Sequence, residues 1–305
     1  MSGSNIPFEL DSVKILSNTK GWFLDAWKYT PKRLGPHPVV VMAHGLSANK
    51  TMKLVQYAEA FATAGYSCVV FDYRRFGASD GSPRECVFVS EQLEDYRTVL
   101  AWVRQQKEFD PQRVVVWGTS FSGGHAISLA SEKRLKLSCV ISQCPYVGTA
   151  PKPPLRTLLQ FISYGLLDLL RQAVGRSPLY IPACAKPGEL GGMTTPESYE
   201  GINRLVDDKK NYPNRISASS LFELPFYNPA SRASKISFPV LIVAAEKDEL
   251  CRIGDTMKVG QNSKLVTITK TPGGHFDLYP DGSDYDVTLK AELDFLKKHV
   301  PLSVA

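Results

Sequence analysis

Short apolar runs alternate with helical periodicities along most of this chain. Polar and apolar residues partly alternate over Phe8 to Leu16 and over Trp22 to Tyr29, which predicts an antiparallel hairpin facing solvent. Continuous apolar runs are typical of strands covered on both faces. Such strands are predicted at Pro38 to Ala43, Tyr66 to Tyr73, Val114 to Ser120, Leu137 to Ser142, Phe238 to Ala245 and, as a shorter strand, Lys264 to Ile268.

Helical spacing of apolar residues fills the intervals between these runs. One helix is predicted around Leu54 to Ala62 and ends at Gly65, and the next begins near Ser90 as a candidate N-cap. A further helix is expected after Gly124, and a last one carries the stripe Leu289, Leu293 and Leu296. Strands that alternate with helices predict an α/β class, with a mostly parallel eight-stranded sheet flanked by helices. Sites in such sheets gather at the carboxyl ends of the strands.

One segment departs from this alternation of strands and helices. From Tyr146 to Lys235 the chain is rich in proline, and a leucine-rich stretch runs from Leu155 to Val174. We therefore predict a core of residues 1–145 and 236–305 and an inserted, mainly helical lid of residues 146–235. The leucine-rich stretch is interpreted either as a helix buried between lid and core or as an apolar wall for a substrate, and Arg156 and Asp168 make it a poor membrane span.

Composition narrows the function classes. With 305 residues and 43% apolar composition, the chain is large enough for one domain with an insertion. The formal net charge of +6 is spread without a basic stripe, so no nucleic-acid partner is expected. No signal sequence or membrane span is expected in the first thirty residues. Six scattered cysteines, with Cys68 and Cys139 inside apolar runs, predict reduced thiols and a cytoplasmic protein.

The candidate chemistry begins where an apolar strand runs into Gly118-Thr119-Ser120-Phe121-Ser122. A tight strand-to-helix corner would expose the Ser120 hydroxyl as a nucleophile, and it needs small residues two positions before and after the serine. Gly118 and Ser122 are small enough. A glycine-rich strand end without chemistry is the alternative interpretation of the motif alone.

A serine nucleophile needs a general base, and His275 is the best candidate among five histidines. It lies in a flexible loop directly after the last predicted strand. The others are expected to be solvated bystanders (His37 and His299), a packing residue beside the corner (His125) and a loop-holding residue (His44).

The imidazole in turn needs a carboxylate to fix its tautomer. Asp248, in a turn just past the Phe238 to Ala245 strand, is our prediction, with Glu246 as the alternative and Asp277 as a local loop contact. The chain order Ser120, Asp248, His275 is the order expected for such a fold. The three residues are therefore the predicted catalytic set.

Two backbone N–H groups are predicted to stabilise an oxyanion. One belongs to Phe121, directly after the nucleophile, and the other to Leu46, with Gly45 allowing close approach. No metal or organic cofactor is predicted, because no ligand cluster or phosphate-binding loop is evident.

Taken together, the motifs resemble those of serine-type α/β hydrolases over nearly the whole chain. Within that superfamily the chain resembles the fungal polyketide transferase and thiohydrolase family of secondary metabolism. The resemblance rests on His44-Gly45-Leu46, Phe71 to Gly77 (in which Asp72 and Arg74 match family positions), Gly118 to His125 and Gly274 to Asp277.

The resemblance implies hydrolysis of a thioester or ester of a polyketide acyl chain, or its transfer to an alcohol. The expected partner is a small-molecule acyl substrate, and an acyl-carrier domain of a polyketide synthase is compatible with it. Tyr73, Tyr146 and Phe161 are the predicted substrate-binding residues.

Three functions stay open at this point. The first is a hydrolase that forms an acyl-enzyme on Ser120 and releases it to water. The second is an acyltransferase in which an alcohol or amine replaces water at the same residues. The third is a binding protein that has kept the fold and lost the chemistry, against which the presence of serine, acid and base argues.

Overall fold

The computed structural model describes residues 6–302, which form a central sheet, flanking helices and an inserted segment. The strands are β1 (Phe8–Leu16), β2 (Phe23–Pro31), β3 (His37–Ala43), β4 (Ser67–Phe71), β5 (Phe109–Thr119), β6 (Cys139–Gln143), β7 (Tyr180–Ile181), β8 (Ile216–Ser217), β9 (Val240–Ala245) and β10 (Val266–Thr271). The helices are α1 (Val55–Thr63), α2 (Val89–Val103), α3 (Phe121–Ala130), α4 (Leu155–Ala173), α5 (Pro196–Leu205), α6 (Ile253–Gln261) and α7 (Tyr285–His299). Short 3₁₀ segments lie at Lys133–Leu135, Lys209–Asn211, Ala218–Phe226, Pro229–Lys235 and His275–Leu278.

Eight strands form one sheet in the order β1-β2-β4-β3-β5-β6-β9-β10, which confirms the predicted mostly parallel sheet. Strand β2 runs antiparallel to both of its neighbours, and the other pairs are parallel. Strands β3, β5, β6, β9 and β10 therefore end at the same edge. The residues that follow them in the chain are brought together there.

Strand β3 shows why these runs are continuously apolar. Val39, Val41 and Ala43 pack into the core on one face of the sheet, whereas Val40 and Met42 pack into the core on the other. Successive strand residues point to opposite faces, so a strand with helices on both sides buries every position. For that reason apolar and polar residues do not alternate along the sequence of such a strand.

Several helix boundaries differ from the prediction. Helix α2 begins at Val89, so Ser90 is not its N-cap. The Val89 N–H donates instead to Glu223 Oε2 at 3.0 Å, from the inserted segment, which replaces a local cap by a tertiary one. Helix α3 begins at Phe121 rather than after Gly124, and α6 was not predicted.

One histidine is also placed differently. His37 was expected to be solvated, but it is the first residue of β3 and is buried, with the pKa of its imidazole lowered by burial. It lies at the amino end of its strand. The candidate site is at the carboxyl end, so His37 still takes no part in it.

Residues 146–235, which we call the insert, leave the sheet after β6 and return before β9. Within the insert, Gly165 of α4 packs against Phe222, and the buried Asp168 carboxylate accepts hydrogen bonds from Ser217, Ser219 and the Leu179 N–H. These contacts hold one side of the helix.

The remaining sides of α4 are exposed. Of the two interpretations of the leucine-rich stretch, the helix buried between lid and core is wrong, because Leu159, Leu166 and Leu170 are more than half exposed. In the described part of the chain, no helix combines the length and the apolar character needed to cross a membrane.

The exposure of α4 predicts that its leucines add little to stability. Leu166→Ala should change the unfolding free energy by less than about 1 kcal/mol, because Leu166 is 53% exposed. Leu129→Ala is the matched change in α3, where the side chain is fully buried, and it should cost about 2–5 kcal/mol. Denaturant unfolding of both variants makes the comparison. Equal losses would contradict the exposed position of α4.

Candidate active site

The candidate site is built around a sharp turn between β5 and α3. Ser120 occupies it with φ 57° and ψ −117°, a positive φ that non-glycine residues rarely adopt. Backbone hydrogen bonds hold the turn on both sides. The Ser120 N–H donates to Gln143 O at 2.9 Å, and the Ser120 carbonyl accepts from the N–H groups of Gly124 at 3.2 Å and Tyr146 at 2.9 Å.

The turn leaves no room for a side chain at Gly118. A Cβ there would lie 2.2 Å from the Ser122 carbonyl oxygen. Ser122 itself does more than stay small. Its buried hydroxyl donates to the His44 carbonyl and also hydrogen-bonds Tyr73 Oη, so it ties the turn to the loop after β3. The motif identifies position 122 as small but gives no sign of this bond.

Three side chains from three strand ends meet at the turn. Ser120 Oγ lies 3.1 Å from His275 Nε2, and His275 Nδ1 lies 2.7 Å from Asp248 Oδ2. The other Asp248 oxygen accepts from the N–H groups of Leu250 at 2.8 Å and Cys251 at 2.6 Å. Glu246, the alternative acid, is exposed. The structure therefore brings the predicted serine, histidine and aspartate into one hydrogen-bonded chain.

Burial and a neighbouring charge act in opposite directions on His275. Burial disfavours the charged imidazolium, but the Asp248 carboxylate and the Cys144 sulfur favour it, and the pKa of His275 is raised well above its ordinary range. Cys144 Sγ lies 3.8 Å from His275 Nε2, directly after β6. This contact was not predicted from the sequence, although the place of Cys144 at a strand end was a usable signal.

The loop after β3 approaches the serine closely. A Cβ on Gly45 would lie 2.9 Å from Ser120 Cβ, so only glycine fits. Within residues 6–302, neither the Leu46 N–H nor the Phe121 N–H donates to a protein acceptor. The predicted role in binding an oxyanion requires two N–H groups that are not already bonded within the protein.

A buried charge cluster holds the far end of this loop. Lys50 Nζ lies 2.6 Å from Asp72 Oδ2 and 2.5 Å from Asp25 Oδ1. The Lys50 N–H also donates to Asp72 Oδ1 at 2.7 Å. His44, at the start of the loop, lies with Nδ1 3.0 Å from the Gly45 carbonyl, and burial lowers the pKa of His44. The neutral ring thus has a loop-holding contact and packs edge-on against Tyr73.

The other histidine near the turn is also buried and neutral. His125 Nδ1 lies 2.7 Å from Tyr227 Oη, and Nε2 lies 2.9 Å from Gln92 Oε1. Burial lowers the pKa of His125 to about 3. His125 is therefore hydrogen-bonded as well as packed.

A largely apolar cavity of about 220 Å³ opens at Ser120, between the core and the insert. Its walls include Leu46, Tyr146, Phe161, Leu224 and Leu250. Tyr146 and Phe161, two of the predicted substrate-binding residues, thus line it. The prediction for the third residue, Tyr73, is corrected. Tyr73 lies fully buried behind the turn, packed against Phe71 and Tyr96, and it does not line the cavity.

One group of donor atoms has metal-ligand chemistry. Side-chain atoms of Asp248, Cys251 and His275 lie within 4.8 Å of one another. Asp248 and His275 already bond each other, and burial raises the pKa of the Cys251 thiol to about 12. A cation would have to displace both the thiol proton and the bond between Asp248 and His275, so these residues fit hydrogen bonding better than ligation.

The sequence and the fold of this chain are similar to those of known proteins. A family model described as "Serine aminopeptidase, S33" matches residues 35–281. The chain is 34% identical to the quorum-quenching protein AidA of Acinetobacter baumannii, over 91% of each chain. It is 41% identical to thiohydrolase aneE of Aspergillus aculeatus over 70% of each chain. The crystal structure of the α/β hydrolase GrgF from Penicillium sp. superposes with a TM-score of 0.80 at 22% identity, covering 96% of this chain and 100% of that one.

The geometry of the turn at Ser120 predicts that no larger residue can replace Gly118. Gly118→Ala should prevent the turn from forming as described, because the new methyl group would meet backbone rather than a movable side chain. We expect a loss of several kcal/mol of unfolding free energy, measured by denaturant unfolding. Gly254→Ala in α6 is the control, since nothing lies within 4 Å of its added Cβ, and it should be neutral or slightly stabilising. An unaltered Gly118→Ala protein would contradict the turn geometry.

The surroundings of His275 predict its titration. Histidine ordinarily has a pKa of about 6.5. NMR titration of ring-labelled protein should place His275 clearly above that value. In Asp248→Asn the attraction of the carboxylate is removed while burial remains, so the pKa should fall. A His275 pKa at or below 6.5 in the wild type, or one unchanged in Asp248→Asn, would contradict the ion-pair geometry.

Proposed function

The chain belongs to the serine aminopeptidase S33 family of α/β hydrolases, and on that premise we propose that it is a serine hydrolase cleaving an ester or thioester of a lipophilic acyl group. The reaction proceeds through an acyl-enzyme on Ser120. The observation that carries the proposal is the unbroken hydrogen-bonded chain from Ser120 through His275 to Asp248 at the mouth of an apolar cavity.

In the first half-reaction, Ser120 Oγ attacks the substrate carbonyl carbon while its proton passes to His275 Nε2. The carbonyl oxygen becomes an oxyanion and accepts hydrogen bonds from the Leu46 and Phe121 N–H groups. Collapse of this intermediate breaks the bond to the alcohol or thiol. The leaving group takes the proton from Nε2, and the acyl group stays on Ser120.

In the second half-reaction, water gives a proton to His275 Nε2 and attacks the same carbonyl carbon. The bond to Ser120 Oγ breaks, the hydroxyl regains its proton from Nε2, and the carboxylic acid leaves. Throughout, Asp248 Oδ2 accepts the Nδ1–H of His275 and stabilises the imidazolium.

The cavity and the relatives support the substrate class. Apolar walls favour a lipophilic acyl chain, because burying apolar surface lowers its free energy. One relative is named a thiohydrolase and another a polyketide transferase. We propose a polyketide-like acyl group on that basis, with residues 146–235 acting as a cap over the cavity. An acyl-carrier domain is the proposed donor if the natural substrate is a thioester.

Acyl transfer is a second candidate, favoured by the relative named polyketide transferase grgF, which is 25% identical over 92% of this chain. An alcohol or amine would then replace water in the second half-reaction. The same side chains carry both reactions, so the acceptor alone distinguishes them. The binding-protein alternative predicts no acylation of Ser120.

Single substitutions test the proposed roles. Ser120→Ala and His275→Ala should abolish acyl-enzyme formation, and Asp248→Asn should leave a folded protein slowed by about 10⁴-fold in kcat. Burst kinetics with a chromogenic ester measure each step. Glu246→Gln is the matched control, because this exposed carboxylate lies two residues from Asp248 and should leave the burst unchanged. A normal burst in Ser120→Ala would contradict the assignment.

A substrate panel identifies the reaction. Wild-type protein would be incubated with acyl thioesters, linear esters and an acyl lactone, with and without an alcohol acceptor. The lactone is an internal ester, so it tests whether the acyl group and the alcohol can belong to one ring. Mass spectrometry should detect the acyl group on Ser120 and free acid as product. Acyl-alcohol product would favour transfer, and the absence of any Ser120 adduct would favour a binding protein.

A further inference from the structure

One carboxylate of the insert reaches the two loops that carry the acid and the base. Glu197, in the first turn of α5, accepts a hydrogen bond from the backbone N–H of His275 at 2.9 Å through Oε2. Its other oxygen, Oε1, accepts from the N–H of Glu249, the residue after Asp248, at 2.8 Å. The Glu197 N–H returns a longer bond of 3.4 Å to the Glu249 carboxylate.

The surroundings of Glu197 are fitted to this contact. A Cβ on Gly274 would lie 2.3 Å from Glu197 Oε2, so the loop before His275 can approach the carboxylate only without a side chain. One helical turn further along α5, Gly201 packs against Phe276. Arg204 donates to the Phe276 carbonyl at 2.7 Å. Helix α5 thus follows the His275 loop over two turns.

We propose that Glu197 is a positioning residue, a bridge that fixes the His275 and Asp248 loops relative to each other and to the insert. The inference rests on the proposed function and deepens it. Neither oxygen of Glu197 contacts Ser120 or the ring of His275, so it acts through the backbone of the base and of the residue beside the acid.

The short distances between Ser120, His275 and Asp248 are the reason why such a bridge matters. Proton transfer depends on the 3.1 Å separation between Ser120 Oγ and His275 Nε2, and on the 2.7 Å bond that orients the ring. Misplacement by about 1 Å can cost about 10²-fold in rate. The other contacts of the insert with this loop, from Gly201 and Arg204, reach Phe276 rather than His275. A hydrogen bond to the backbone of His275 itself is the shortest route by which the insert can set this geometry.

Opposing effects act on the ionisation of the Glu197 carboxyl group. Burial and the nearby Asp248 carboxylate raise the pKa of Glu197, while the Glu249 N–H and the charge on His275 oppose the rise. An ionised carboxylate offers acceptors to both N–H groups. A neutral amide offers an acceptor to only one of them.

Glu197→Gln is the test variant, because it keeps the shape of the side chain and removes one acceptor. Glu200→Gln is the matched control, an exposed carboxylate on the same helix one turn away. With a small chromogenic ester that does not fill the cavity, Glu197→Gln should lower kcat by about 10- to 100-fold and leave KM within about threefold. Glu200→Gln should match the wild type.

A second readout separates positioning from a merely structural contact. The proton between His275 Nδ1 and Asp248 Oδ2 should give a downfield ¹H NMR resonance in the wild type, and it should broaden or shift in Glu197→Gln but not in Glu200→Gln. If Glu197→Gln unfolds early, Glu197→Asp keeps the charge on a shorter arm and should show the same effects. Wild-type kcat together with an unchanged resonance would overturn the proposal.

These outcomes are distinguishable from failure of the proposed function. If wild-type protein neither turns over esters nor reacts with a fluorophosphonate at Ser120, the hydrolase assignment fails. The NMR comparison of the Asp248–His275 proton still decides whether Glu197 holds the two loops.

Discussion

A single backbone position, Ser120 at φ 57°, constrains the structure around it. Holding a non-glycine residue in this region costs of order 1–3 kcal/mol, so the surroundings must over-determine it. They do so from both sides. Strand β6 accepts the Ser120 N–H through Gln143, and the chain just beyond it donates to the Ser120 carbonyl through Tyr146. Gly118 then lies against the Ser122 backbone without space for a methyl group.

The same constraint explains the polar groups buried behind the turn. Ser122 joins the turn to the His44 carbonyl, and the loop that starts there ends at Lys50, between two aspartates. Removing one partner of a buried ion pair typically costs about 3–5 kcal/mol, because it leaves a charge without compensation. The buried lysine therefore fixes the path of the loop more than it adds net stability. The path brings Gly45 against Ser120 and leaves the Leu46 N–H without an acceptor among residues 6–302.

The insert is joined to the core by polar contacts as well as by apolar residues such as Ile202, Leu205 and Leu224, which pack into the core clusters. Ser220 and Glu223 accept backbone N–H groups at the start of α2, and Glu197 accepts those of His275 and Glu249. The leucines of α4 stay largely exposed. The apolar residues of the insert bury surface against the core, and the directional polar contacts fix its orientation beside the cavity.

The sequence by itself determined the sheet, the strand ends and the residues gathered there. Burial on both faces makes parallel strands continuously apolar, and strand ends mark one edge, so Ser120, Asp248 and His275 could be placed on a common edge from the chain alone. The first residues of helices were harder to predict from the sequence. Ser90 is an example, because the side chain of Glu223, which is distant in the chain, replaces a local N-cap of α2. The predicted substrate contact of Tyr73 and the interpretation of α4 as a buried helix are wrong for a related reason. Apolar and aromatic residues look alike in sequence whether they line a cavity, fill a core or face solvent, and only the packing of distant segments decides. The Ser122, Cys144 and Glu197 contacts likewise join residues that are 49 to 131 positions apart in the chain, and such pairings exist only in the tertiary structure.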